Sequence, residues 1–244
     1  MERMDLTLVC GSRPHLLEQT LSTFANHIFR FIRIETVYAN IDLFGGNEKE
    51  RNKCIQLLTN YFGDVRINST SENSFGAAVK FLWSQPNTQR FLHLEDDWIA
   101  LRSFPIEAIK IRKHSKIRQW LLVKPRPEQS LITRYRYRPL PRLPFFFPDI
   151  THPSFSTSPS VISTDFAREI AFLLRADLNP EKQMFNGKNK ALENFLQNFR
   201  CKAIVNWWEK KLIMDIGRVW QETQGLRVEI VDGIHGYKNL DLEK

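Results

Sequence analysis

Apolar positions in the first hundred residues switch between two rhythms. Leu6 to Cys10 is a short apolar run closed by Gly11-Ser12-Arg13-Pro14, the pattern of a buried strand entering a loop. His15 to Phe29 then places Leu16, Leu17, Leu21, Phe24 and Ile28 at helical spacing. Thr36 to Ile41 predicts a second strand ending at Asp42, Gly45-Gly46 breaks the chain, and Glu48 to Phe62 predicts a second amphipathic helix. Val65 to Ile67 predicts a short third strand, Ser74 to Ser84 a third helix, and Arg90 to Leu94 a fourth strand that stops at Glu95-Asp96-Asp97. Strands alternating with helices predict an α/β fold with a mainly parallel sheet, helices on both faces and right-handed crossovers. Ligands of such sheets bind beyond the carboxyl ends of the strands. The loops there hold Arg13, Asp42 and Glu95-Asp96-Asp97.

The pattern changes after residue 100. Lys110 to Asp149 mixes Arg and Lys with Pro125, Pro127, Pro139, Pro141, Pro144 and Pro148, a proline density that excludes long helices. It predicts an extended excursion over the sheet that shapes an acceptor site. Ser160 to Ser163 predicts a returning strand and Asp165 to Arg175 a helix. Asn194 to Phe199 and Ile213 to Gln221 predict helices, and Arg227 to Val231 a late strand. There is no internal repeat or low-complexity tract. The expected organisation is one domain over 1–244, with a nucleotide-binding half over about 1–100 and an acceptor-binding half over about 101–244.

Composition narrows the picture modestly. Hydrophobic content of 42% and charged content of 25% are those of a globular protein. A net charge of +8 favours anionic partners such as nucleic acid, nucleotide phosphates or an acidic membrane face, without choosing among them. Cys10, Cys54 and Cys201 are widely spaced and lack a CxxC pair, which argues against a disulfide framework or zinc site and suits a cytoplasmic setting. Met1 leads almost directly into a strand-like segment, so no secretory signal is expected, and no apolar run reaches the ~20 residues of a membrane span.

The acidic triplet is the sharpest chemical signal. Three adjacent carboxylates at the end of an apolar strand repel one another, and a hard divalent ion such as Mg2+ or Mn2+ relieves that repulsion. Alternation along an extended chain puts Glu95 and Asp97 on one side and Asp96 on the other. The alternative is a solvated acidic turn, which the buried strand feeding the triplet disfavours.

In these features the sequence resembles the GT-A glycosyltransferases, in particular the inverting family-2-like group. Their DxD or xDD motif follows the fourth strand of a Rossmann-like half, where this triplet stands. Leu6 to Pro14 is similar to their first strand and nucleotide loop, and Asp42 to the acidic residue that contacts the base. Asn73-Ser74-Phe75-Gly76-Ala77-Ala78 is similar to their Asn-x-Gly helix start. The resemblance covers residues 5–100 well and the rest in patches.

The resemblance implies a Rossmann-like GT-A fold, a UDP- or GDP-sugar donor, a carbohydrate or lipid-linked acceptor, and a divalent metal as cofactor. It implies that Asp97 and His235, the latter between glycines in Gly233-Ile234-His235-Gly236, hold the metal. Glu95 or Asp96 would support the ribose or the metal shell, and Arg13 and Lys80 would add charge near the diphosphate. A catalytic base is expected at a helix start; Glu181, after Pro180, fits, although Lys182 stands where the family has a second acid, and Asp149, Asp165, Asp177 and Glu193 are weaker rivals. His93 reads as a core or supporting histidine, and His152 as one facing the acceptor.

Two rival readings remain. A nucleotidyltransferase also gathers carboxylates at a strand end, but with a glycine-rich basic loop that Gly11-Ser12-Arg13-Pro14 does not supply. A nucleic-acid-binding module would use Arg134-Tyr135-Arg136-Tyr137-Arg138, yet leaves the triplet unexplained, and no nucleic acid is expected as a partner. Phe145-Phe146-Phe147 beside basic residues fits core packing or peripheral contact with a membrane, packing being the commoner use.

Overall fold

The computed structural model describes residues 1–71, 73–105, 116–124, 151–152, 155–185, 188–205, 208–231 and 234–239. At 151–152, 185, 228–231 and 234–239 the description is of the backbone. Arg134 to Arg138, Phe145-Phe146-Phe147 and all the prolines of the predicted excursion lie outside the described residues.

The first half follows the predicted alternation. Strand β1 (Glu2–Cys10) leads to helix α1 (Pro14–His27), a 3-10 turn at Phe29–Phe31 and β2 (Ile32–Ile41). Then come α2 (Glu48–Tyr61), β3 (Val65–Ser69), α3 (Phe75–Ser84) and β4 (Arg90–Glu95). Pro14 suits the first turn of α1, whose Leu16, Leu17, Leu21 and Phe24 are buried against the sheet. Burying such side chains stabilises by roughly 1.5–3 kcal/mol each, which outweighs the missing side-chain cap at Arg13. Helix α2 buries only Cys54 and Leu58, and its start is fixed by a capping box between Asn47 and Glu50. Ser74 caps α3 by accepting from the Ala77 N–H.

The second half contributes β5 (Trp98–Ala100), β6 (Ile117–Leu121), β7 (Thr151–His152), β8 (Ser160–Ser163) and α4 (Thr164–Leu173). It continues with α5 (Pro180–Phe185), α6 (Lys190–Leu196), β9 (Arg200–Ala203), β10 (Ile213–Asp215), α7 (Gly217–Thr223), β11 (Leu226–Val231) and β12 (Ile234–Asn239). The main sheet runs β3-β2-β1-β4-β8-β6-β9-β7. Its first four strands are parallel, and β8 enters antiparallel between β4 and β6. The fold is a Rossmann-like α/β fold whose sheet is parallel on one side and mixed on the other.

Three predictions are corrected here. Ile117–Leu121, inside the stretch expected to pass over the sheet, is a central strand with Gln119, Trp120 and Leu121 buried. Ile213 to Gln221 is not one helix: Ile213–Asp215 pairs antiparallel with Trp98–Ala100 before α7 begins. Pairing with a distant partner strand has overridden the local helical pattern. The helix expected at Asn194 to Phe199 begins earlier, at Lys190, where Asn189 caps the Leu192 N–H.

One buried polar group ties the core to the strand bearing the triplet. His93 Nδ1 stands 2.8 Å from Thr7 Oγ1 and accepts from Trp83 Nε1 at 3.2 Å. Burial pushes its pKa down to about 3, so the ring stays neutral inside the core, as the sequence reading of His93 expected.

Candidate active site

Neighbouring parallel strands β1, β2 and β4 end together, and their following loops converge. Asp42 N–H donates to the Cys10 carbonyl at 3.1 Å, and Asp96 N–H to the Val9 carbonyl at 3.0 Å. A cavity of about 250 Å³ opens above these ends, a little under the ~300–1,000 Å³ usual for small-molecule sites. Its described lining includes Arg13, Asp42, Glu95, Asp96 and Asp97, together with Phe44, Asn73, Phe75 and Gln221. Five of the residues singled out from sequence therefore share one cleft.

The three acids of the triplet have different surroundings. Asp96 is buried and held from every side. Its Oδ2 accepts from the Gly11 N–H at 3.1 Å and Arg13 Nε at 3.2 Å, its Oδ1 pairs with the Arg13 guanidinium, and its carbonyl accepts from Thr20 Oγ1 at 2.8 Å. Asp97 meets the same guanidinium at 3.1 Å, but burial outweighs that help and pushes its pKa up to about 7, with Asp96 and Asp215 adding repulsion. Burial also raises Glu95 well above the usual carboxylate range, with further repulsion from Asp97, Glu181 and Asp215 and a countering hydrogen bond from Trp98.

Asp42 forms the opposite wall. Its Oδ1 accepts from the Phe44 N–H at 2.9 Å, and burial still raises its pKa to about 6. The Phe44 ring lies 5.3 Å from the Arg13 guanidinium carbon, so Arg13 links the two walls. Asn73 Oδ1 accepts from the Leu43 N–H at 3.1 Å and pins the loop after β2 to the start of α3.

Glu181 sits in the first turn of α5, and its charge bears on Glu95. Its Oε1 accepts from Ser156 Oγ at 2.7 Å and from the Thr157 N–H and Oγ1 at 3.1 Å each. Lys80 is placed elsewhere. Its Nζ donates to the Phe172 and Leu174 carbonyls, closing the end of α4, and it is not among the cavity's lining residues. His235 lies in β12 opposite Ile230, with its side chain outside the description; the same holds for His152 in β7.

Asp215 was not singled out from sequence, yet it stands beside the triplet. Strand β10 sets it opposite Trp98, and the Ile216 N–H donates to the Asp97 carbonyl at 2.8 Å. Gly217 follows, and a Cβ there would lie 2.1 Å from Asp97 Oδ2, so any side chain at this position would displace that carboxylate. A signal was present, because Leu212-Ile213-Met214-Asp215 repeats the apolar-run-into-acid pattern of the triplet strand. Among the described residues, no three His, Cys, Asp or Glu side chains are grouped so as to hold a metal ion by themselves.

No protein-family model matches the sequence, and no curated protein does. Solved structures do match. A mannosyltransferase from Pyrobaculum calidifontis, in complex with GDP-Man and Mn2+, aligns over 84% of this chain at 9% identity with a TM-score of 0.53. HddC from Yersinia pseudotuberculosis aligns over 88% of this chain and 94% of its own, at 10% identity and TM-score 0.52. This chain has the GT-A fold. A CMP:2-keto-3-deoxy-manno-octonic acid synthetase complexed with CTP aligns over 92% of this chain and 97% of its own, at 8% identity and TM-score 0.51. This GT-A chain spans 55% of the mannosyltransferase's length. Among the described residues, no helix is long and apolar enough to cross a membrane.

Proposed function

We propose that the protein is a glycosyltransferase that moves a sugar from a nucleoside-diphosphate donor to an acceptor hydroxyl, using a divalent metal. The observation that carries this reading is the contrast within the triplet. All three line the cavity, but Asp96 is held by the Gly11 N–H and Arg13, whereas burial and neighbouring carboxylates resist the negative charge on Glu95 and Asp97. Hard oxygen donors in that condition suit Mg2+ or Mn2+, which bind through one or two carboxylates plus substrate phosphates and need no all-protein cage. The residues present therefore fit the ion. Asp97 and Asp215 would hold it, with His235 the further donor implied by resemblance, and bound there it would supply positive charge against the leaving diphosphate.

The chain's own groups do the rest. Asp42, Phe44 and Phe75 line the cavity and would offer a carboxylate and two rings to the nucleoside, and Arg13 fixes the loop on which the phosphates would lie. Glu181, anchored through one oxygen, takes the proton from the acceptor hydroxyl as that oxygen attacks the anomeric carbon. The displacement is direct and inverts the anomeric centre, and residues 1–244 act as one domain, with the donor side over about 1–100. A nucleotidyltransferase is the second reading, favoured by the likeness to the synthetase complexed with CTP.

Calorimetric titration with UDP, GDP, CMP and CTP, with and without Mn2+, tests the proposal. Metal-dependent binding of one nucleoside diphosphate, lost in Asp97→Ala, is the expected result. Binding of a nucleoside triphosphate in preference to every diphosphate moves the assignment to the nucleotidyltransferase. No binding of any nucleotide at any metal concentration sinks both.

A further inference from the structure

Away from the cleft, three segments are tied together at the far end of the small sheet formed by β5 and β10. The Leu101 N–H donates to the Leu212 carbonyl at 2.9 Å, Arg102 to the Lys210 carbonyl at 3.2 Å, and Lys124 Nζ to the Glu209 carbonyl. Two large apolar side chains are left in solvent here, Trp208 at 61% and Leu101 at 43% exposure. Around them stand exposed Lys210 and Lys211 and half-buried Arg102 and Lys124, and within the described stretches 101–105, 116–124 and 208–212 Glu209 is the only acid. Arg102 Nε, buried, has no hydrogen-bond partner among the described residues.

We propose that this face docks on an anionic lipid membrane. Exposed apolar groups ringed by cations match both requirements of an interfacial anchor. Trp settles at the headgroup level, an aliphatic side chain reaches the acyl boundary, and each Lys or Arg is drawn to anionic lipid. The chain's net charge of +8 acts in the same direction. A nucleic acid would use the cations and stack on Trp208, but Leu101 offers it nothing. Strands β5 and β10 are three residues each, so this face lies about 10 Å from the Asp97 and Asp215 end. If the transferase reading holds, docking presents the cleft to an acceptor carried at the membrane surface; the docking itself does not rest on that reading.

Sedimentation of the full chain with phosphatidylcholine vesicles, with and without phosphatidylglycerol, tests the proposal, and nucleotide titration of the same samples keeps the two readings separate. Expected is binding that needs the anionic lipid and weakens roughly tenfold or more in Lys210→Glu/Lys211→Glu. Leu101→Ser/Trp208→Ser should weaken it several-fold, with circular dichroism unchanged in both variants. Equal sedimentation with neutral and anionic vesicles overturns the proposal. So does binding that the apolar variant leaves intact while a DNA oligonucleotide competes it away, which assigns the face to nucleic acid.

Discussion

On one wall of the cleft, Asp96 gives both carboxylate oxygens to Arg13 and the Gly11 N–H; one residue along the chain, Asp97 shares that arginine and faces the cavity. The arginine sits with its side chain 5% exposed, against 2% for Asp96 and 14% for Asp97. Adjacent, chemically identical groups have thus been divided between architecture and chemistry. Hydrogen bonds already formed make Asp96 a fixed part of the loop, whereas the charge on Asp97 stays destabilised by burial despite the same arginine. The lesson is that a run of acids should be read one residue at a time, by what each can still bind.

The largest expected effect comes from breaking the Asp96 side. Arg13→Met leaves a buried, unpaired carboxylate and should cost about 3–5 kcal/mol in urea unfolding, with most of it regained when Asp96→Leu is added. A cost under about 1 kcal/mol would show that Asp96 is not anchored by Arg13.

Asp97→Asn should do the reverse, leaving the fold intact while metal-dependent nucleotide affinity falls by more than the ~10–100-fold lost with groups behind a metal ligand. Its pH behaviour carries a definite sign. The Asp97 carboxyl titrates near 3.8 ordinarily and near about 7 in the folded protein, so its protonated form favours folding. That contribution is whole below pH 3.8 and is lost as pH rises through about 7. The metal-free wild type should lose melting temperature from about pH 4 to 7, and the Asn variant should lose less, keeping only the part that Asp42 and Glu95, both raised by burial, still contribute. Parallel curves for the two proteins would place the titration elsewhere.

Gly217→Ala sharpens the contrast by pushing only Asp97. The new methyl would meet Asp97 Oδ2 at 2.1 Å, which should cost about 1–3 kcal/mol and weaken metal-dependent binding. Gly63→Ala, whose Cβ would meet nothing within 4 Å, is the control. The smallest effect is expected at Glu181, an intermediate case with its recorded bonds all on one oxygen. Thr157→Val removes one of three and should cost about 1 kcal/mol, read as a small drop in melting temperature.

Much of the parallel half was legible because its signals are local. Apolar runs ending at Gly11, Asp42 and Glu95 mark strands buried on both faces, and Pro14, Asn47 and Ser74 mark helix starts. Alternation also separated Asp96 from its neighbours. Legibility failed where partners lie far apart in sequence. Nothing within 212–217 announces that Ile213–Asp215 will pair with Trp98–Ala100, and that pairing is what carries Asp215 to the triplet. Lys80 sits on a helix beside the motif strand, but its helix packs against α4, so the ammonium serves the carbonyls of Phe172 and Leu174. Pro180 marked the helix start on which Glu181 stands, whereas the Ser156 and Thr157 groups that hold its carboxylate were not legible.

Gly76 carries a consequence of its own. A methyl at this position in α3 would lie 2.4 Å from the Leu178 carbonyl and 2.5 Å from that of Ala176, so helix and loop touch backbone to backbone. Phe75 and Asn73, on the cavity wall, therefore sit next to the segment that leads into Pro180 and Glu181. A displacement of α3 by a fraction of an ångström would thus press on the backbone that leads to Glu181, with no side chain between to absorb it.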